Sequence, residues 1–369
     1  MLTHLDDTLW HQLPTTFDHV GTSDPRFFDR YWFAVYDPAG GTAMQFTLGV
    51  YNNMNVVDGG CVVVKGSTQY NLRTSRALRP EFVPAVGPMR VEVEVPMERL
   101  RLVVEEGDHP MALDVLWSAV LPPEEERPHF ERIRGRAAQD YQRFNQIGSV
   151  SGWIEAGGSR IAVDNWWSAR DHSWGVRPAI GIPEPETGEP AERPAGALFC
   201  FLFFSTGNLG GHVQLSERGQ HEYLTGLVRP IGGSSTEERT VAEAQLRLSV
   251  FPGTRRFSTA ILSGRLDDGE AFTVSAEPLG STVAMPGLGY GGWDDGKGLG
   301  AYRGRAHTEW DTWDVSHAAD VVRADGRTFR PPHRIAPVRV AVETGGVRSS
   351  GTGSLTLIAE GDLPAYGLG

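Results

Sequence analysis

Along much of this chain hydrophobic and polar residues alternate with a period of two, the pattern of strands that bury one face. It is plain in RVEVEV (90–95), RLRLVV (99–104) and LDVLWSAVL (113–121). It returns in QLRLSV (245–250), AFTVSA (271–276) and VRVAVE (338–343). In RLDDGEAF (265–272), Asp268-Gly269 separates two such runs and predicts a hairpin. ALFCFLFF (197–204) is the longest apolar run, suited to a buried strand and too short to span a bilayer. Helical spacing is confined to DDTLWHQL near the start and to 122–144, where Pro128 interrupts it. With 45 Gly and 24 Pro, turns recur at the cadence of antiparallel β-structure.

The expected fold is therefore all-β. A stretch rich in proline and glutamate, 181–196, cannot pair inside a sheet and predicts a connector. It divides the chain into units at 1–180 and 197–369, each long enough for one small antiparallel barrel that closes on itself.

Composition narrows the partners. Lys+Arg 34 against Asp+Glu 46 gives a formal charge of -12, which repels nucleic acid and anionic membrane surfaces. No apolar segment is long enough to span a bilayer, and the first residues lack the basic and apolar regions of a signal peptide. Cys61 and Cys200 lie in separate apolar runs and are expected as buried free thiols of a cytoplasmic protein. GLGYGG (287–292) has dinucleotide-fingerprint spacing but lacks the strand before it and the helix after it. The 11 histidines form no H-x-H or H-x-x-x-H pair, so no metal site is expected. No G-x-S-x-G is present to support a serine hydrolase.

Two stretches concentrate chemistry. In IAVDNWWSARDHSWGVR (161–177), simple alternation puts Asp164, Trp166 and Ser168 on one face and Asn165, Trp167 and Ala169 on the other. Two readings stay open. Arg170 and Arg177 clamp the framework while Trp174 caps a core, or Asp171 or His172 sits between aromatic walls where desolvation raises a carboxyl pKa. In the stretch 290–316, His307, Glu309, Asp311 and Trp313 share a face. That face is either solvated or forms a polar interior wall able to hold a water.

At these stretches the chain resembles a known family. RFNQIGSVSGWIEAGGSRIAVDNWWSARDHSWGVRP (143–178) and YGGWDDGKGLGAYRGRAHTEWDTWD (290–314) are similar to the AttH-like proteins, whose superfamily includes the carotenoid 1,2-hydratases (hydroxyneurosporene synthases). The resemblance runs from about residue 25 to the end. It implies two tandem lipocalin-like (calycin) barrels, apolar ligands, and cofactor-free addition of water to an isoprenoid, terpenoid or polyene double bond by a hydro-lyase.

Such a reaction needs a carboxylic acid kept protonated, aromatic faces for the cation, and a positioned water. Asp171, or else Asp164, is the expected acid. Trp166, Trp167, Trp174, Tyr290, Trp293 and Trp313 are candidate rings. His172, or His307 beside Glu309, would place the water, and Arg170 and Arg177 would hold the framework. Two alternatives share the same cavity: a non-catalytic binder of a lipophilic small molecule, and a cofactor-free cyclase or isomerase of an apolar metabolite.

Overall fold

The computed structural model describes residues 2–133, 135–181, 195–219, 221–233 and 237–368. The regular structure of the described chain is nearly all strand, in two antiparallel sheets. Most of the connector expected at 181–196 lies outside the described residues.

The first sheet has 15 strands. One meander runs through Phe27–Tyr36, Thr42–Tyr51, Val56–Lys65 and Thr68–Ala77; another runs through Met89–Val95, Arg99–Val104 and Met111–Ala119. The long hairpin Arg136–Ala156 and Ser159–Val176 joins them, pairing with Met111–Ala119 on one side and Phe27–Tyr36 on the other. The sheet curls round an apolar core that includes Phe33, Phe46, Leu72, Leu102 and Trp117. Arg76 of Thr68–Ala77 reaches across to the end strand Ala85–Val86, donating to the carbonyls of Ala77, Leu78, Val83 and Ala85.

The second sheet has nine strands, eight of which form a closed barrel completed where Ala271–Pro278 pairs with Arg334–Thr344. Phe272, Val274, Val338, Val340 and Val342 of the alternating runs point into its core. The hairpin at Asp268-Gly269 forms with Gly269 at φ 85°, a left-handed turn position that glycine fills without strain. Between the two sheets lies a third apolar layer of Trp32, Tyr36, Val62, Trp167, Phe201 and Phe203. Strand Val56–Lys65 supplies both this layer and the first core, which explains its unbroken run of buried residues.

The sheets interlock. Ala306–Asp314 lies in sequence between the barrel strands Ala271–Pro278 and Arg334–Thr344 but pairs with Thr68–Ala77, extending the first sheet. Gly60 permits this: a Cβ there would stand 2.8 Å from the Leu288 carbonyl oxygen, so only glycine lets 285–288 lie flat on the sheet.

Two helical expectations are corrected. Residues 122–144 form strands Glu124–Glu125 and His129–Ile133 and the start of Arg136–Ala156. Prolines 122, 123 and 128 disfavour a helix, and pairing along the long hairpin overrides the local propensity of the rest. The N-terminal stretch forms a single 3-10 turn, His4–Asp7, capped by Thr3.

Candidate functional site

Strand Ser159–Val176 positions the site through a bulge. The register steps from Val150↔Trp166 to Gly152↔Val163, and Asn165 takes φ 52°. Val163 and Trp166 therefore both enter the first core, and Asp164 is left exposed between them. This corrects the uninterrupted alternation that placed Asp164 beside Trp166. Beyond the bulge, alternation is regular. Trp167 points toward the barrel, stacks on Tyr36 with centroids 5.5 Å apart, and donates from Nε1 to Ser205 Oγ at 2.9 Å.

Arg170 and His172 project to one face of the strand and Asp171 to the other. Arg170 is buried over the Trp117 ring (4.7 Å) and donates from Nε and NH2 to Gln146 Oε1. His172 lies 2.6 Å from Asp29 Oδ1, ringed by Tyr31, Phe144 and Trp174; the last is exposed.

Asp171 faces the junction of the two sheets. It belongs to a row of paired positions crossing the first sheet: Glu124, Asn145, Asp171, Trp32, Thr47, Gly60, Arg73 and Glu309. Among the described residues its carboxylate has no hydrogen bond or ion pair. It is surrounded by protein yet keeps some accessible surface. Burial pushes its pKa up to about 6, against the opposing pulls of Arg143, Arg177 and His172 and with help from Glu126.

Arg143 does not neutralise Asp171 because its charge is already engaged. It donates to Glu126 Oε2 at 2.7 Å and to Gln214 of the barrel, and lies 4.6 Å from the Phe201 ring centroid. Glu126 is fully buried. Burial alone would raise its pKa, but Arg143, His129 and His212 hold it down at about 2. His129 lies 2.8 Å from Glu126 and is stacked between Tyr141 and Tyr223, each 4.3 Å away. His212 pairs with Glu124 at 3.1 Å, and Asn145 donates to Glu126. Residues from both sheets thus form one buried polar pillar beside Asp171.

Nearby, Tyr141 and Tyr290 pack against the apolar cluster that holds Phe28 and Tyr51. Arg177 lies over Phe28 at 4.6 Å, with its Nε lacking a partner. Arg30 is buried under Tyr290 and bonds Asp58 Oδ1 (2.7 Å), Tyr51 (2.6 Å) and Thr47 (2.6 Å). His333 meets Tyr290 edge-on at 5.4 Å. Burial, with Arg177 and Arg256, drives the His333 pKa down to about 3, so its ring is neutral. Like Asp171, it sits deep in protein and keeps accessible surface. Arg177 acts electrostatically on both groups.

The other expected residues lie elsewhere. His307, Glu309 and Asp311 share a face of Ala306–Asp314, five strands from Asp171 in the sheet order and on the order of 20 Å away across it. Glu309 (2.5 Å) and Asp311 (3.1 Å) clamp Arg73, and His307 is 3.6 Å from Glu309. Trp293 is buried beneath Arg303, and Trp313 is buried against Phe329. The structure therefore gathers Asp171, Arg177 and Tyr290, with Trp167 on the same side of the strand as Asp171. It separates them from Asp164, Trp166, Arg170, His172 and Trp174, and from the His307 group. Sequence reading missed Glu126, His129, Arg143, His212 and His333. Pro331-Pro332 before His333 was the one local sign of a fixed position. Among the described residues no group of three or more His, Cys, Asp or Glu could hold a metal ion. No described helix is long and apolar enough to cross a membrane.

A family model described as a family of unknown function (DUF8625) matches residues 2–328. No curated protein matches the chain. Among solved structures, a proposed AttH from Nitrosomonas europaea is similar with a TM-score of 0.49 and 12% identity, over 89% of this chain and 92% of that one. Kievitone hydratase from Nectria haematococca is similar with a TM-score of 0.46 and 10% identity, over 89% of this chain and 88% of that one. Both likenesses are loose.

Proposed function

The chain belongs to that family, DUF8625, and we propose that its sheet junction catalyses acid-driven addition of water to, or its removal from, a carbon–carbon double bond of an apolar small molecule. The observation that carries the reading is Asp171, a carboxyl without a donor among the described residues, surrounded by protein beside its register partner Trp32, with its pKa raised to about 6. At neutral pH a useful fraction of such a group is protonated, and its proton transfer is driven by its acidity. Its register partner Asn145 carries a buried Oδ1 without a donor, a neighbour that favours the protonated form.

In the forward direction the Asp171 O–H gives its proton to the less substituted alkene carbon. The π pair forms that C–H bond and leaves a cation on the other carbon. Trp32, Phe201 and Tyr290 offer ring faces to this charge, each worth about 0.5–2 kcal/mol. A water held by the neutral His333 ring bonds to the cation and returns a proton to the Asp171 carboxylate. The acid is restored, one water is added, and the chemistry calls for no cofactor. An isoprenoid, terpenoid or polyene substrate fits the apolar walls.

The test is incubation of the full chain with apolar alkenes and tertiary alcohols of these classes in ¹⁸O-labelled water, followed by mass spectrometry. Wild-type protein should add one labelled oxygen, or remove water from the alcohol, and Asp171→Asn should not. Turnover by a folded Asp171→Asn variant would take the acid away from this site.

A further inference from the structure

Open space also lies against the closed barrel, beside the segment that carries His333. Two cavities of about 590 and 460 Å³ lie there, on either side of the loop that carries Arg255 and Arg256. Both reach Leu357 of the barrel core, with apolar walls that include Val250, Leu368, Phe257 and Ala336. Their rims carry Arg255, Arg256, Arg330 and Arg334, and among the described residues lining them there is no carboxylate.

Among the described residues, two of these guanidiniums have no counter-charge in contact. Arg256 donates to the carbonyls of Pro331 and Pro332, and Arg334 donates to those of Val315, His317 and Ala318. Arg334 is 97% buried by its 3% exposure, and its Nε has no partner. The nearby Asp320 is bound at 2.8 Å to Arg330. Burial lowers Arg256 to about 9, reinforced by Arg334 and Arg330, and lowers Arg334 to about 10 against a partial pull from Asp320. Buried cations without an anion are costly, and a protein usually pairs them. Tying loops to the barrel needs carbonyl contacts only; it explains neither the spare donors nor the open apolar space behind them.

We infer that the mouth of the barrel binds an amphiphile whose oxyanion head, a carboxylate or a phosphate, seats on Arg256 and Arg334 while its apolar body enters toward Leu357. Each cavity is of the size that takes a small-molecule ligand. The planar guanidinium fork suits either head group, and binding would supply the missing counter-charge.

Calorimetric titration of the full chain with sodium decanoate, decyl phosphate and decanol tests the assignment. At least one of the two anions should bind at least tenfold more tightly than decanol, and more weakly as salt rises; which anion wins identifies the head group. Arg256→Gln should weaken the preferred anion at least tenfold. Leu357→Trp, which fills the apolar end without touching a guanidinium, should abolish binding, and circular dichroism establishes that each variant is folded. Equal binding of decanol and the anions, no binding of either anion, or undiminished binding by both folded variants would overturn the inference.

Discussion

Arg170 and Asp171 are consecutive residues that face opposite sides of one strand: the guanidinium caps the Trp117 ring inside the first sheet, while the carboxyl faces the barrel beside Asn145. Their separation removes a conflict. A cation in direct contact would hold Asp171 ionised, whereas the strand keeps Arg170 bound to Gln146. Arg143, on the carboxyl's own side, is occupied by Glu126.

Asp171 should reveal its pKa through stability. Its folded value, about 6, exceeds the ordinary 3.8, so its contribution is complete below pH 3.8 and is lost as pH rises to about 6. Asp171→Asn should therefore gain stability relative to wild type across that interval, by roughly 1–3 kcal/mol at pH 7. Differential scanning calorimetry from pH 4 to 8 measures it. A wild-type-to-variant difference that stays constant with pH would contradict the raised value. Turnover should fall at least about 100-fold in this variant, and His172→Gln, on the opposite face, should leave it within a few-fold.

Glu126 titrates with the opposite sign. Its pKa is held at about 2 against an ordinary 4.5, so its stabilisation is complete above pH 4.5 and is lost as pH falls toward 2. Glu126→Gln leaves Arg143 buried with no carboxylate in contact among the described residues and should cost about 3–5 kcal/mol at neutral pH, read by urea unfolding. Acid unfolding of the variant should be correspondingly shallower than that of wild type.

The two thiols should be silent in the native protein. Cys61 and Cys200 are free and buried in different sheets; burial pushes Cys61 well above the usual thiol range and Cys200 to about 12. A thiol-reactive disulfide reagent at pH 8 should label neither residue in native protein and both in denaturant. Fast labelling of the native chain would show that one of the cores opens.

Gly148 tests the packing of the long hairpin. A Cβ at this position would stand 2.4 Å from the Trp117 ring and 2.6 Å from the Ser118 carbonyl oxygen. Gly148→Ala should cost about 1–3 kcal/mol, as overpacking does. Gly207→Ala, where a Cβ meets nothing within 4 Å, should change thermal stability little.

Fold class was legible because it rests on local rules. Period-two runs such as AFTVSA and VRVAVE put Phe272, Val274, Val338 and Val340 inside the barrel wherever the strands are placed, and Asp268-Gly269 dictates its own turn. The same local logic failed at 122–144, where helical spacing gave way to pairing with a distant strand. It failed again at Asp164, because a bulge depends on the partner strand's register and one extra residue moves a side chain to another environment.

By itself, then, the sequence determined that the chain would build antiparallel sheets with apolar faces, and that the segment around Asp171 would carry unusual polarity. Only tertiary structure decided which polar groups meet. Glu126, Arg143, His212 and His333 reach the junction from points spread over some 200 residues, and the His307 group is carried five strands away along the sheet. Strand periodicity specifies which face a side chain takes; the order of strands in a sheet and the docking of one sheet on another set its neighbours, and with them its charge state.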